Sequence, residues 1–379
     1  MGRKRVMVAI GTRPEAIKLA PIVLALRRQP GLLPVVVTTG QHTEAVREVL
    51  DIFGIAADED LAVGEAGCGL AAIAAAVLTR FAALMRSGPP DAVLVQGDTT
   101  SALGAALAAF YQQIPVAHVE AGLRSDNRYA PFPEEIHRRM TSLACDLHFA
   151  PTPGAASRLV AEGIDPDTVY LTGNTVVDAL RIIHRHVGYR DARLARLGAR
   201  RPAHCHPVLL VTAHRRESWG EPMERIAAAV ERIACARPGL TVVVVRHPNP
   251  KARRPFGRLA GLPNVLLAEP EPYGPFVHLM ELADLILTDS GGIQEEGPSL
   301  GTPVLVLRDV TERAEGLATG AARLVGTDTD RIVAETGLLL DDPGALAAMT
   351  GQGDLYGDGA AAARCVSVLA ARLNAAAAS

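Results

Sequence analysis

The stretch RVMVAIGTRPEAIKLAPIVLALRRQP, residues 5–30, decides the fold class that the sequence predicts. It begins with a continuous apolar run, continues through the turn Gly-Thr-Arg-Pro and then takes the spacing of an amphipathic helix. A buried strand that enters a helix through a short loop is the first unit of a parallel α/β sheet. The stretch therefore predicts an α/β protein.

Units of the same kind recur along the chain. Further apolar runs with polar turns are LLPVVVTTG, DAVLVQGD, IPVAHVEAG, DLHFAPT and VYLTG, and, beyond an Arg- and Ala-rich connector, HPVLLVTAH, LTVVVVRHPNP, NVLLAEP, ADLILTDS and TPVLVL. Short apolar runs that alternate with helical patterns predict two doubly wound, Rossmann-like domains. We predict the first over residues 1–172 and the second over 173–358, with a C-terminal helix in 359–379 that packs back on the first domain.

The composition is that of an ordinary globular protein. Of 379 residues, 49% are hydrophobic and 21% are charged, which is enough apolar material for a large core. The net charge of -3 and the dispersed arginines argue against nucleic acid or an acidic membrane as a partner. An odd number of cysteines, five, without a Cys-x-x-Cys pair or a secretory leader predicts a reducing, cytoplasmic compartment. We find no segment of membrane-span length.

Polar residues collect in the loops that follow the predicted strands. These loops contribute Arg13, Glu15 and Lys18; Gln41, His42 and Glu44; Asp98; His118, Glu120, Arg124 and Asp126; His214, Arg215, Arg216 and Glu217; Arg246, His247 and Asn249; Ser290, Gly291, Gly292, Gln294 and Glu296; and Arg313. Loops at the carboxyl ends of parallel strands are where α/β enzymes place their sites. Eight such loops predict a ligand held in a cleft between two facing domains.

The loop DSGGIQEE, residues 289–296, is the best candidate for an anion site. Its glycines allow backbone N–H groups to approach an anion at the start of the helix that we expect from Ile293, and a diphosphate fits there. Glu296, about one turn into that helix, can reach ribose hydroxyls. The alternative is a glycine-rich turn with solvated acids. Neither a Gly-x-Gly-x-x-Gly nor a Walker pattern occurs, so a dinucleotide cofactor or a P-loop NTPase is not expected.

The charged residues of the other loops divide by sign. The cations Arg13, Lys18, Arg215 and Arg313 can neutralise a diphosphate, and the carboxylates Asp98, Glu120 and Glu134 come from first-domain loops. Carboxylates beside a phosphate site are unfavourable unless they serve as acid and base. His214 can donate to an oxygen of a leaving diphosphate. For Glu134, behind Pro131 to Pro133, the alternative is an ordinary helix start with acids in its first turn.

Other kinds of site find less support. His-Cys-His at residues 204–206 has ligand-type side chains, but it lies in a Pro-flanked connector without a second cluster, so we predict no metal. No Gly-x-Ser-x-Gly elbow follows a strand, which argues against a serine hydrolase. The single histidines His42, His118, His137 and His247 are more often structural than catalytic.

Several of these motifs together resemble a known family. GTRPEAIK, QGDTTSAL, HVEAGLRSDNRYAPFPEE, TAHRRES, LTDSGGIQEEGPSLGTPVLVLRDVTER and YGDG are similar to motifs of the non-hydrolysing bacterial UDP-N-acetylglucosamine 2-epimerases, from about Arg5 to Gly359. The resemblance implies two GT-B-like domains, a homodimer, and interconversion of UDP-GlcNAc and UDP-ManNAc for polysaccharide biosynthesis. It also implies elimination of UDP to 2-acetamidoglucal and its re-addition, without a metal or nicotinamide cofactor.

The resemblance also implies roles for particular residues. Asp98, Glu120, Glu134 and His214 match the family's catalytic positions. Arg13, Lys18, Arg138, Arg215, Ser290, Gly291, Gly292, Glu296 and Arg313 are the candidates for substrate binding. The carboxylates are assigned as a set, because the motifs do not say which one acts on which face of C2.

The chain also departs from the family pattern. The family commonly has His at Gln96 and Pro at Val245 and Ala314. Many members bind a second UDP-GlcNAc as an activator, at a site whose candidate residues here are Gln41, Glu44 and His247. This chain has Glu44 where the family has a glutamine, and Gly67 or Cys68 where the family has an arginine. The added carboxylate repels a diphosphate, and the loss of the guanidinium removes an attraction. We therefore expect the usual activator requirement to be absent.

Three other functions remain open at this point. A hydrolysing epimerase would release ManNAc and UDP. Such enzymes have a sequence similar to GTRAD in the first loop, where this chain has GTRPE, which argues against this function. A GT-B glycosyltransferase would share the architecture, but it transfers the sugar to an acceptor and need not exchange the hydrogen at C2 of the sugar. A catalytically dead UDP-sugar sensor is disfavoured because every catalytic carboxylate position is filled.

Overall fold

The computed structural model describes residues 2–41, 43–64, 69–186, 207–350 and 354–376. The chain divides into two compact units, Met1–Ile182 with Tyr356–Ser379 and Ile183–Leu355. The sequence analysis placed this boundary ten residues earlier, between residues 172 and 173. The contacts assign most of the helix that follows residue 174 to the first unit, because that helix is tied to the C-terminal segment.

The first unit contains a seven-stranded parallel sheet. Its strands are β1 Lys4–Ile10, β2 Leu32–Thr38, β3 Glu59–Asp60, β4 Ala92–Gln96, β5 Val116–Val119, β6 Leu147–Ala150 and β7 Val169–Leu171, in the order β3-β2-β1-β4-β5-β6-β7. Its helices are α1 Arg13–Arg28, α2 Thr43–Ile52, α3 Leu70–Ser87, α4 Thr100–Phe110, α5 Glu134–Ala144, α6 Pro153–Ala161 and α7 Thr175–His186. All strands are parallel; successive strands are added on one side of β1 as far as β3 and on its other side from β4 onward, which is the doubly wound order.

The second unit repeats this plan with six parallel strands. They are β8 Val208–Thr212, β9 Thr241–Val245, β10 Val265–Ala268, β11 Leu285–Thr288, β12 Val304–Val306 and β13 Ala322–Leu324, in the order β10-β9-β8-β11-β12-β13. The helices are α8 Glu221–Ala236, α9 Pro250–Arg253, α10 Tyr273–Leu282, α11 Ile293–Ser299, α12 Ala314–Ala318, α13 Thr329–Asp341 and α14 Pro343–Thr350. The predicted fold class, two Rossmann-like α/β domains, is confirmed.

The last helix, α15 Ala361–Ala376, belongs to the first unit and packs against α1. Its start is held by Asp178 of α7, whose two carboxylate oxygens accept the backbone N–H groups of Ala361 and Ala362 at 3.2 and 3.1 Å. Asp178, which is remote in sequence, therefore caps the N-terminus of this helix. The helix lies within residues 359–379, where the sequence predicts it.

One helix corrects the expectation about membrane-span length. Helix α3 has 18 residues and is apolar enough to cross a membrane by length and composition, and 17% of it is buried within the chain. It packs against α4, and Val77, Phe81 and Met85 of α3 lie in the core of the first unit. The sequence analysis missed this helix, because its alanine-rich pattern has no strong periodicity.

Candidate functional site

In the first unit, three loops at the carboxyl edge of the sheet carry the candidate groups. They follow β1, β4 and β5, which are neighbours in the sheet, so the loops lie side by side. Gly97 turns the chain after β4 with a φ of +68°, and Glu120 turns it after β5 with a φ of +64°. A positive φ is uncommon for a residue with a side chain and is often found at functional sites.

The carboxylate of Glu120 is held by three donors. Lys18 of α1 forms a buried ion pair with Oε2. The side-chain amide of Asn174 donates to the same oxygen at 3.1 Å, and that of Gln96 donates to Oε1 at 3.1 Å. A cation and two amide donors all favour the ionised form of a carboxylate. The predicted residues Lys18 and Glu120 are therefore brought together.

Asp98 lies in the neighbouring loop and is paired with Arg138 of α5. Its backbone carbonyl also accepts a hydrogen bond of 3.1 Å from His137, one residue earlier in the same helix. Burial lowers the pKa of His137, so this ring is neutral at neutral pH. Helix α5 thus connects Asp98 to Glu134, which is half-buried in its first turn.

The two adjacent glutamates of the PFPEE motif have different surroundings. Glu135 is 1% exposed and accepts hydrogen bonds from the backbone and hydroxyl of Ser125 at 2.9 and 3.1 Å, and from Arg139 at 2.8 Å. It therefore anchors the loop between β5 and α5. Glu134 is the first residue of the helix, after Pro133, as the alternative of an ordinary helix start also requires, and its role in acid or base chemistry stays a prediction.

The same loop is held by a second ion cluster. Arg124, 2% exposed, pairs with Glu162 through a contact of 2.6 Å, and Arg139 reaches the same carboxylate at 2.8 Å. Glu162 has its pKa lowered chiefly by the hydrogen bonds from Arg124. Arg124 and Asp126, which the sequence placed among the candidate loop residues, are thus structural partners of this cluster.

Glu15 is a buried carboxyl that joins the loops after β1 and β4. Its Oε2 accepts the backbone N–H of Gly11 at 3.0 Å, and its Oε1 accepts the hydroxyl of Thr99 at 2.7 Å. Burial raises its pKa to about 7 in spite of these hydrogen bonds. Arg13 is half-buried at the first position of α1, beside this junction.

His118 is the most deeply buried histidine of this edge. Its Nε2 lies 2.8 Å from the carbonyl of Gly97, and it is 0% exposed. Burial lowers its pKa to about 3, so the ring is neutral. The sequence interpretation of this histidine as a structural residue agrees with that position.

In the second unit, His214 follows β8 and is fixed from the end of β11. Asp289, 0% exposed, accepts the backbone N–H of His214 at 3.1 and 2.9 Å and that of Arg215 at 2.9 Å. The His214 ring stacks on His247 with ring centres 5.5 Å apart. Burial and the neighbouring His214 lower the pKa of His247.

The loop after β11 places backbone and guanidinium groups together. A side chain at Gly291 would meet Nη1 of Arg313 at 2.8 Å and Nη2 of Arg215 at 3.2 Å, so only glycine leaves this space open. Arg313 is 8% exposed and is held by Glu295 at 3.0 Å and by Glu312. The two predicted arginines and the glycine loop thus lie in one place, where they can bind an anion.

Glu296 lies close to the same loop, in the first turn of α11. It is 6% exposed, and Tyr273 of α10 donates its hydroxyl to Oε1 of Glu296 at 2.9 Å. The backbone N–H of Ser290 donates to Thr288 at 3.0 Å, and Gln294 donates to the Ser290 carbonyl at 3.2 Å. Helix α11 begins at Ile293, as predicted, and Glu296 is oriented from outside its own loop.

The predicted regulatory residues do not share one unit. Gln41 accepts a hydrogen bond of 2.9 Å from Ser101, and Glu44 is exposed in the first turn of α2, whereas His247 belongs to the second unit. Gly67, Cys68 and His42 lie outside the described residues.

Over the described ranges, no group of three or more His, Cys, Asp or Glu side chains could hold a metal ion. The His-Cys-His stretch at 204–206 belongs to the part of the chain that is not described. The carboxylates Glu120 and Asp98 of the first unit suit proton transfer, and the group formed by Arg215, Arg313 and Gly291 in the second unit suits anion binding.

Sequence reasoning missed several residues that hold this site. Asp289 opens the DSGG motif but was not singled out, and Asn174 and Tyr273 carry no local pattern. Gln96 was noticed as a departure from a family pattern but not as a partner of Glu120. A buried Asp or Asn immediately after a strand is the one signal that could have indicated Asp289.

The sequence and the structure are both similar to those of known proteins. The sequence model described as UDP-N-acetylglucosamine 2-epimerase matches residues 24–370. UDP-N-acetylglucosamine 2-epimerases of Salmonella typhimurium and Escherichia coli K12 are each 45% identical, over 368 and 369 residues, covering 96% of this chain and 98% of each relative. The crystal structure of the Neisseria meningitidis UDP-GlcNAc 2-epimerase bound to UDP-GlcNAc matches with a TM-score of 0.91 and 42% identity, covering 96% of this chain and 99% of that one.

Proposed function

The chain belongs to the UDP-N-acetylglucosamine 2-epimerase family, and from that premise we propose that it is an isomerase that interconverts UDP-GlcNAc and UDP-ManNAc. The observation that carries this proposal is the division of the candidate groups. Proton-exchanging carboxylates lie on the first unit, and an arginine and glycine cluster suited to a diphosphate lies on the second. The Neisseria structure, which holds UDP-GlcNAc, supports a UDP-sugar as the substrate.

The proposed chemistry is an elimination followed by a re-addition. A carboxylate takes the proton from C2 while the C1–O bond to UDP breaks, and the electron pair of the C2–H bond forms the double bond of 2-acetamidoglucal. UDP then attacks C1 again through its terminal phosphate oxygen, and a carboxylic acid returns a proton to C2 on the opposite face. The groups proposed for this exchange are Asp98, Glu120 and Glu134.

The surroundings of these carboxylates differ. Glu120 faces Lys18 and two amide donors, which favour the ionised form that a general base requires. Asp98 is paired with Arg138. Glu134 lies in the first turn of α5, and the three carboxylates are together proposed to provide both acid and base.

The second unit is proposed to bind UDP. Arg215 and Arg313 meet at Gly291, where they can neutralise a leaving diphosphate, and the His214 ring can donate to one of its oxygens. Arg13 and Lys18 of the first unit are also proposed to bind the substrate. Glu296, oriented by Tyr273, is suited to accept hydrogen bonds from both ribose hydroxyls. Ser290, through its hydroxyl, and Gly292, through its backbone, would complete these contacts. No cofactor has a part in these steps.

We also propose that the enzyme works without the activating second UDP-GlcNAc that many relatives need. Glu44 is an exposed carboxylate in the position of a glutamine, and it repels a diphosphate. The expected rate is hyperbolic in UDP-GlcNAc, and UDP-ManNAc alone is a substrate in the reverse direction. A sigmoidal curve with no reverse reaction until UDP-GlcNAc is added would contradict this.

The proposed assembly is a cytoplasmic homodimer that uses no membrane. The described residues leave helix α3 largely uncovered, and Phe110, Tyr111 and Leu143 are 57%, 67% and 77% exposed. A second copy would bury such an apolar surface. Light scattering without detergent tests this, and a monomer at twice the working concentration would contradict it. The product is proposed to serve polysaccharide biosynthesis.

The test of the activity is a product analysis. The protein is incubated with UDP-GlcNAc alone, and the products are separated and identified by proton NMR. We expect UDP-ManNAc in equilibrium with UDP-GlcNAc. Free ManNAc with UDP would indicate a hydrolysing epimerase, and turnover that begins only when a sugar acceptor is added would indicate a glycosyltransferase.

A further inference from the structure

The carboxylate of Glu120 receives hydrogen bonds from two amides that were not among the candidate site residues. Gln96 donates to Oε1 and Asn174 donates to Oε2, each at 3.1 Å. Both residues are 3% exposed, so water does not compete for these donors. The third donor, Lys18, is itself 4% exposed. Three separate elements, α1, β4 and the segment before α7, thus converge on one carboxylate.

Each amide is fixed by its own backbone. Gln96 is the last residue of β4 and pairs in the sheet with Val119, the residue immediately before Glu120. Asn174 donates its backbone N–H to Tyr356 at 2.7 Å, and its Oδ1 accepts the N–H of Val176 at 3.0 Å. Because Oδ1 is used in this way, the orientation of the Asn174 amide leaves Nδ2 for Glu120.

A buried carboxylate loses the water that stabilises its charge, and hydrogen-bond donors must replace that water. Lys18 supplies a charge, but a flexible ammonium does not fix the plane of a carboxylate. Two amides on opposite oxygens do fix it. Unlike an imidazole, an amide does not titrate between pH 5 and 8, so the environment stays constant where the enzyme works.

We propose that Gln96 and Asn174 are positioning residues, which hold Glu120 ionised and in one orientation for proton exchange at C2. This rests on the proposed function, in which Glu120 contacts the substrate. Neither amide reaches the reacting atoms; each acts through Glu120. Their part in catalysis follows from the donors that they present to Glu120.

Other titratable groups surround Glu120 and contribute to its ionisation. Lys18 favours the charged form, and the Asp98–Arg138 pair lies on the loop that follows Gln96. His118, two residues before Glu120, is neutral because burial lowers its pKa to about 3, and His137 is bound to the Asp98 carbonyl. Both amides can be removed without changing any of these charges.

The test compares Gln96→Leu and Asn174→Ala with Gln112→Leu, a control in the same unit whose amide donates at 3.3 Å to the carbonyls of Ala82 and Ala108. Each test variant is expected to lower kcat about 10-fold or more and to change KM less than about 3-fold, because only the transition state needs the oriented base. The acidic limb of the kcat–pH profile should move up by about 0.5–1 unit. Gln112→Leu should leave kcat and the limb unchanged. A limb that stays in place in both test variants would overturn the proposal.

A second measurement does not depend on activity. With ¹³C-carboxyl glutamate, the resonance of Glu120 is identified by its loss in Glu120→Gln, and its titration midpoint should rise by about 0.5–1 unit in Gln96→Leu. A raised midpoint in a protein that makes no UDP-ManNAc would leave the positioning role standing and reject the proposed function. An active wild type in which neither midpoint nor limb moves would reject the positioning role alone.

Discussion

The buried carboxylate of Asp289 accepts the backbone N–H of His214 with both of its oxygens, at 3.1 and 2.9 Å. It also accepts the N–H of Arg215 at 2.9 Å. One side chain at the end of β11 therefore fixes the loop after β8, the neighbouring strand. This loop presents the histidine and one of the arginines proposed to bind the diphosphate.

The first prediction concerns that connection. Asp289→Asn replaces one accepting oxygen with an NH₂ group that faces backbone donors, and we expect it to lower the free energy of unfolding by about 1–3 kcal/mol. It should also weaken UDP binding about 10-fold, because the His214 loop loses its fixed position. Thermal unfolding and calorimetric titration with UDP measure the two effects.

The matched control for this variant is Asp284→Asn. Asp284 accepts the backbone N–H of Val208 at 2.8 Å, at the opposite, amino end of the same two strands. It should lower stability without changing UDP affinity. Equal losses of UDP affinity in both variants would show that Asp289 acts only through stability.

The second prediction concerns the three carboxylates. Glu120→Gln, Asp98→Asn and Glu134→Gln are each expected to lower kcat about 10²–10⁴-fold, because a neutral amide can neither take nor return the C2 proton. Glu224→Gln, exposed on α8, is the control and should leave kcat unchanged. A variant that keeps more than about a tenth of wild-type kcat would remove its residue from the proposed set.

The third prediction concerns the guanidinium of Arg313. Its orientation depends on contacts with Glu295 and Glu312, which lysine cannot reproduce in the same plane. Arg313→Lys should therefore raise the Kd for UDP about 10-fold or more. Arg323→Lys, on an arginine that pairs with Glu335 at β13, should bind UDP as the wild type does. Unchanged affinity in Arg313→Lys would place the diphosphate elsewhere.

The fourth prediction concerns pH and stability. Burial raises the pKa of Glu15 to about 7 in the folded state, above its ordinary value of 4.5. Between these values the folded state binds the proton more tightly than the unfolded state, so the stability from this group is present below pH 4.5 and is lost as pH rises through 7. The loss is about 3 kcal/mol at full extent.

Glu15→Gln removes this titration; its amide oxygen can accept the N–H of Gly11, and its NH₂ group can donate to the hydroxyl of Thr99. Its melting temperature relative to the wild type should therefore increase between pH 5 and pH 8. Parallel curves over that range would show that Glu15 is ionised in the folded protein throughout.

The strands that sequence could predict are those with a continuous apolar run, such as β1 and β8, because burial on both faces of a parallel sheet demands it. Strand β3 consists of Glu59 and Asp60, which are both exposed, and β13 of three residues. Such strands are defined by pairing with a neighbour and not by their own pattern, so the sequence analysis missed them.

The residues of the candidate site likewise divide into those that the sequence could predict and those that it could not. Asp98, Glu120 and Arg313 were predictable because charged groups in loops after strands converge by topology. Asn174 and Asp289 were not, because their role is a contact with residues 54 and 75 positions away. Local spacing carries no information on such contacts, and only the folded chain brings the partners together.

The most direct test of the central claim is proton NMR of C2 after incubation of the purified protein with UDP-GlcNAc in deuterium oxide, without added cofactor. Proton abstraction by the carboxylates predicts UDP-ManNAc with deuterium at C2, and deuterium entering UDP-GlcNAc as the reaction reverses. UDP-ManNAc that keeps its original C2 hydrogen, or no reaction at all, would contradict the account.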